Sequence, residues 1–131
     1  MANVLYPKGK EAILGGDADW DSHEFRAALI GNSGAYNSAH QYRDDLADVI
    51  ATSGVAITGK SKTGGAAGAS NMSVAFATVA TNAKAIVVYR VVGSAATDLL
   101  IAWIDTASGL PHTQNGGDVG ITWNSGVVFS L

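Results

Sequence analysis

The chain has no cysteine in 131 residues. Disulfides and thiolate-ligated metal centres are therefore excluded, and the redox compartment is left open. Proline is nearly absent too, with only Pro7 and Pro111. Charged residues make up 15% of the chain, with 8 Lys and Arg against 11 Asp and Glu, a net charge of −3. That balance argues against nucleic acid as a partner, because phosphate backbones select a basic excess. Long apolar runs are missing as well. "AIVVY" and "LLIAWI" are too short to cross a bilayer, so no membrane partner is expected. "MANVLYPKGKEAIL" lacks the apolar core of a secretory signal, which predicts a protein made and kept in a cytoplasm or assembled there.

What the chain has is a 47% hydrophobic fraction and 16 glycines. The first is enough for a core and rules out a disordered chain. The second suits an all-β domain with many tight turns. The length predicts a single domain spanning residues 1–131.

Hydrophobic periodicity gives the elements. "PKGKEAILGG" predicts a short helix, with Pro7 at its first position and Gly15 and Gly16 as its stop. "HEFRAALI" alternates Phe25, Ala27 and Leu29 against Glu24, Arg26 and Ala28, predicting a strand with one wet face. "SAHQYRDDLADVI" predicts a second helix, with Ser38 and Gln41 at capping-box spacing and Tyr42, Leu46 and Val49 on one face. "GVAITGK", "NMSVAFATV", "KAIVVYRVV", "TDLLIAWIDT", "DVGITW" and "GVVFSL" read as strands, with "KAIVVYRVV" central. "SKTGGAAGAS" reads as a loop and "NSG" as a hairpin turn joining the last two strands. Six or seven strands without crossover helices predict a mainly β fold, an antiparallel β-sandwich or jelly roll with one or two short helices.

Five features invite a chemical reading. "GVAITGKS", Gly54–Ser61, fits the phosphate-loop pattern G-x-x-x-x-G-K-[ST] and would make the chain a nucleotide-binding enzyme acting through Lys60. Such a loop needs a strand before it and a helix after it. Here "VAIT" is strand-like inside the loop, and "KTGGAAGAS" follows where the helix should start. Asp17, Asp19 and Asp21 imitate the start of a calcium loop, but Ser22 and Ala28 stand where glycine and glutamate are required. His23, His40 and His112 share no metal-ligand spacing, and no nucleophile elbow is present. We therefore expect no catalytic residue, no metal and no cofactor. Trp20, in a turn beside three carboxylates, is placed either to anchor an interface or to cap the core. The long connection "GLPHTQNGGDVGITW" has the turn chemistry of a structured loop that can carry function, with His112, Asn115 and Asp118 as its candidate contacts.

Three segments carry a resemblance: "LYPKGKEAILGGDADWDSHEFRAALI", "ATSGVAITGKS" and "LLIAWIDTASGLPHTQNGGDVGITW". Together they resemble a family of small proteins encoded among the late structural genes of tailed bacteriophages, over nearly the whole chain. The Asp105–Trp123 segment is its most specific part; the chain departs from relatives at His112, where they carry an aliphatic residue, and at Gln114, where they carry proline. The resemblance implies a virion component rather than an enzyme. Size and β content suggest a capsid cement or decoration protein on the outer surface of the capsid, made in the bacterial host cytoplasm. Such a protein binds major capsid protein and itself, as a dimer or trimer. An N-terminal arm over residues 1–7, bearing Val4, Leu5 and Tyr6, would suit that role. The alternative within phage particles is a tail, fibre or baseplate module meeting a host glycan or another tail protein through Trp20 and the 112–118 loop.

Overall fold

The computed structural model describes residues 4–74, 82–105, 110, 119–123 and 126–130; for residues 50–54, 72–74 and 119 only the backbone is described. The described residues form antiparallel sheets with one short α-helix, as the alternation predicts. In chain order the elements are β1 (Val4–Leu5), α1 (Pro7–Leu14), β2 (Phe25–Gly31), β3 (Val49–Ala56), β4 (Ser61–Thr63) and β5 (Ala66–Gly68). Then come β6 (Met72–Val74), β7 (Ala83–Arg90), β8 (Leu99–Ile104), β9 (Val119–Ile121) and β10 (Val127–Ser130). A five-stranded sheet runs β1-β8-β7-β2-β3; a three-stranded sheet runs β10-β5-β4; β6 pairs with β9.

β7 is the centre of the large sheet, which explains its nearly unbroken β-branched sequence. Both faces of that sheet are buried. Phe25, Ala27, Leu29, Ile86, Val88 and Ile101 face one cluster, together with Ala12 and Ala18 from the helix region and Ile57, Ile121, Trp123 and Val128 from the far strands. Ala28, Ile30, Ala85, Val87, Tyr89, Leu100 and Trp103 face the other, with Tyr6 buried among them and Tyr36 and Leu46 packed against it. The expected wet face of β2 is thus corrected. Ala28 and Ile30 are buried because the irregular stretch between β2 and β3 folds over that side. In β8 the register shifts, with Leu100 opposite Tyr89 and Ala102 opposite Val88. Ile101 is the extra residue, and this bulge lets Ile101 and Ala102 both face the first cluster.

α1 forms where predicted. Pro7 starts it, and the left-handed residue after it is Gly16, at φ +81°, rather than Gly15. Gly9 lets the helix lie directly on the backbone of β8.

The predicted second helix does not form. Only Arg43–Asp45 make a single 3₁₀ turn, and β3 has begun by Val49. The cause is local competition from aspartates. Asp45 accepts hydrogen bonds from the Gln41 and Tyr42 amides, each at 2.9 Å, and Asp48, at φ +56°, accepts one from Ser33 at 2.8 Å. The Arg43 and Asp44 amides bond across to Asp98 and Ala95. "SKTGGAAGAS" is likewise not a loop but the hairpin β4–β5, with Thr63 opposite Ala66. Gly64 and Gly65, both at positive φ, supply the two-residue turn whose twist matches the strands. Among the described residues β9 pairs with β6 and β10 with β5; Asn124 and Ser125 of the expected "NSG" turn lie outside them.

Candidate functional site

Three of the stretches singled out in the sequence meet at one corner of the molecule: the Asp17–Asp21 turn, Trp20 itself, and the end of "GVAITGKS". The indole N–H of Trp20 donates to the Ser61 carbonyl at 2.9 Å. Its ring packs against Phe25 at a centroid distance of 4.7 Å, and edge-on against Phe129 of β10 at 5.3 Å. Trp20 thereby ties the α1–β2 turn to both the large sheet and the β10-β5-β4 sheet.

Lys60 crosses the same corner. Its ammonium donates to the His23 carbonyl at 2.5 Å and lies 5.1 Å from the Phe25 ring centroid and 5.7 Å from that of Trp20. A phosphate-loop lysine needs a free ammonium and a following helix; here Ser61 starts a β-strand and the ammonium is already held. Gly59, at φ +61°, makes the turn, and a Cβ there would strike the Ser70 side chain.

The aspartates serve the turn. Asp19 accepts from the Asp21 amide at 3.0 Å and the Ser22 hydroxyl at 3.1 Å, while its own amide donates to His23 Nδ1 at 2.9 Å. The Asp21 amide, above all, with the Ser22 hydroxyl, holds the Asp19 carboxyl below its usual range. Asp21 pairs with Lys62 of β4, and that hydrogen bond raises the Lys62 ammonium above its ordinary value. Among the described residues, no three metal-ligating side chains come together.

Next to these groups lies a mainly apolar pocket of about 170 Å³, walled by Ile13, Ala18, Trp20, Ala66, Ala67 and Phe129, with Lys62 and Gly65 completing its lining. Leu14, the residue after Ile13, is 88% exposed. The lining of this pocket is mainly apolar. Neither the pocket nor Leu14 was singled out in the sequence. The signal for Leu14 was there in part, as an apolar residue immediately before a Gly-Gly helix stop.

The other expected contacts are not gathered here. Val4 and Leu5 form β1, paired with Trp103 and Ala102 on the edge of the large sheet. Tyr6 is fully buried; its amide donates to the Ile101 carbonyl at 2.9 Å and its ring lies 5.0 Å from that of Tyr36. Burial raises the Tyr6 hydroxyl above its ordinary range, with Tyr36 adding to the effect. The expected arm is therefore corrected for residues 4–7, which belong to the sheet, the core and the first turn of α1, because Val4, Leu5 and Tyr6 have apolar surface to bury against β8. Tyr6 is no surface contact. His112, Asn115 and Asp118 lie outside the described residues.

A second polar cluster is structural. Asp98, 2% exposed, accepts from the Val92 and Gly93 amides at 2.7 and 3.1 Å and pairs with Arg43 at 2.9 Å. Arg43 also lies over the Tyr89 ring. Together these bonds fix the β7–β8 connection to the 3₁₀ turn.

No protein-family model matches the chain, and no curated protein or solved structure matches it either.

Proposed function

We propose that the chain is a structural protein of a tailed-bacteriophage particle: a cement or decoration subunit that binds major capsid protein on the outer surface of the head and self-associates. The reading rests on the resemblance drawn above for the Leu5–Ile30, Ala51–Ser61 and Leu99–Trp123 segments. The geometry supports it. An antiparallel body with apolar clusters on both faces of its large sheet is stiff, and its Trp20 corner offers a mainly apolar pocket. These are the properties of a part that docks. In this reading the two larger sheets are the layers of a jelly-roll-like sandwich, and the subunit is made in the host cytoplasm before it joins the shell. Weak contacts repeated over a shell give avidity without a large single interface.

The test is to label intact particles with an antibody against the folded chain. Label distributed over the heads is the expected result. Label confined to tails would replace this reading with the tail-module alternative, and particles without the protein would overturn it.

A further inference from the structure

We infer that the cleft beside Arg90 is a binding site for an acidic sugar, with the Arg90 guanidinium as the partner of its carboxylate. The inference concerns a ligand rather than a place in the particle, so it goes beyond the function proposed above and does not depend on it.

The cleft, of about 570 Å³, is lined from several parts of the chain. Arg90 ends β7 and stands opposite Leu99, the first residue of β8. Tyr42 also bridges to Leu99, and the Gln41 carbonyl accepts from the Leu100 amide at 2.9 Å. Asp17 and His23 come from the turn between α1 and β2. His23 is fixed there, because its Nδ1 accepts from the Asp19 amide and its carbonyl accepts from Lys60. These anchors set the lining before any ligand arrives, which lowers the cost of binding one.

Arg90 is the reason to expect a ligand. It is half-buried, its Nε is shut off from solvent without a hydrogen-bond partner, and its guanidinium makes no ion pair among the described residues. The other two arginines are paired, Arg26 with Glu24 and Arg43 with Asp98. A partly buried cation without a partner is costly, and a planar fork of N–H donors at a cleft selects a carboxylate or a phosphate. The rest of the lining chooses between them. Asp17 opposes a second negative charge, which disfavours a phosphate dianion, yet it accepts from any hydroxyl that a ligand brings. Gln41 both donates and accepts. His23 Nδ1 is occupied as an acceptor, so its proton sits on Nε2, which donates. The Tyr42 ring and Leu99 add apolar surface suited to the C–H face of a sugar ring. One carboxylate, several hydroxyls and a saturated ring together describe a uronic or sialic acid.

The purified full-length chain is titrated with glucuronate, galacturonate, mannuronate and N-acetylneuraminate, and with glucose, acetate and phosphate for comparison, by heteronuclear NMR of its backbone amides. We expect at least one sugar acid to bind with a dissociation constant of about 1 mM and to shift the Tyr42, Val92 and Leu99 amides. It should bind at least about tenfold more tightly than glucose, acetate or phosphate. Arg90→Gln should weaken that binding at least about tenfold. Arg90→Lys keeps the stem and the charge, so it serves should the first variant fail to fold; without the planar fork it should still lose about threefold or more. Binding of none of the sugar acids, equal binding of glucose, equal binding of acetate or phosphate, or binding indifferent to the Arg90 variants would each overturn the inference. A chain that decorates heads but binds no sugar acid overturns this inference and leaves the capsid reading standing. A chain that binds a sugar acid through Arg90 but is missing from particles does the reverse.

Discussion

Replacing Gly9 with alanine tests how α1 is held. In an isolated helix the change is favourable by about 1 kcal/mol, because glycine is the poorer helix former. Here the sign reverses. A Cβ on Gly9 would lie 2.7 Å from the Leu100 carbonyl oxygen and 2.8 Å from both the Cα and the carbonyl oxygen of Ile101. These are backbone atoms of β8, next to the central strand, and they cannot rotate aside. Ordinary contact requires α1 to retreat by about 0.6 Å. A gap of that size forfeits roughly a quarter to a half of the dispersion well at each contact it opens. Ala12 and Ile13, which pack from the same helix into the first cluster, lose contacts with it. Overpacking of this kind costs about 1–3 kcal/mol. We therefore expect Gly9→Ala to be destabilised by about 2 kcal/mol, a fall in Tm of roughly 6–8 °C for a chain of this size by scanning calorimetry. Gly16→Ala is the control. Its Cβ meets nothing within 4 Å, so only the strain at φ +81° remains, and its loss should stay near 1 kcal/mol. A Tm for Gly9→Ala equal to or above that of the native chain would refute the docking of α1 on β8.

Further expectations follow from three polar side chains, Asp98, Tyr6 and Lys60. Asp98→Ala leaves Arg43 and the Val92 and Gly93 amides without their acceptor, and should cost about 3 kcal/mol by urea unfolding. Burial acts to raise the Asp98 carboxyl, but the Val92 and Gly93 amides and Arg43 outweigh it and hold it below its ordinary value. Its contribution is therefore complete above about pH 4 and is lost as pH falls through the depressed folded value, so Asp98→Asn should flatten the acid limb of the stability profile. Tyr6→Phe should gain about 1 kcal/mol, because the buried Tyr6 hydroxyl has no hydrogen-bond partner among the described residues; a loss of stability would show that it has one. Lys60→Ala should lower stability by about 1–2 kcal/mol through the lost His23 bond and ring contacts, with no change in calorimetric titration by ATP. ATP binding that vanishes in this variant would restore the phosphate-loop reading of "GVAITGKS".

The strands were legible where packing obeys a short period. β7 and β8 are apolar runs of strand length, and "FRAALI" alternates well enough to mark β2. The number of buried faces was not legible, because Ala28 is small enough to suit water or a core, and the cover over it comes from Tyr36 and Leu46. Residues 38–50 misled because their helical spacing is real, while Asp45 and Asp48 offer the backbone other partners. The β4–β5 hairpin was readable in Gly64-Gly65 but was masked by the small residues around it. Of the candidate site, Trp20 stood out by composition. Its partners Ser61 and Phe129 are brought in by folding from 41 and 109 positions away, and no local pattern announces them.

The central claim is a place on the capsid surface, and a difference reconstruction tests it most directly. Particles assembled with and without the gene for this chain are imaged and their maps subtracted. The account predicts ordered difference density on the outer face of the head, seated on major capsid protein and shaped like the antiparallel body described above. Identical heads in the two maps, or difference density found only on the tail, would contradict it.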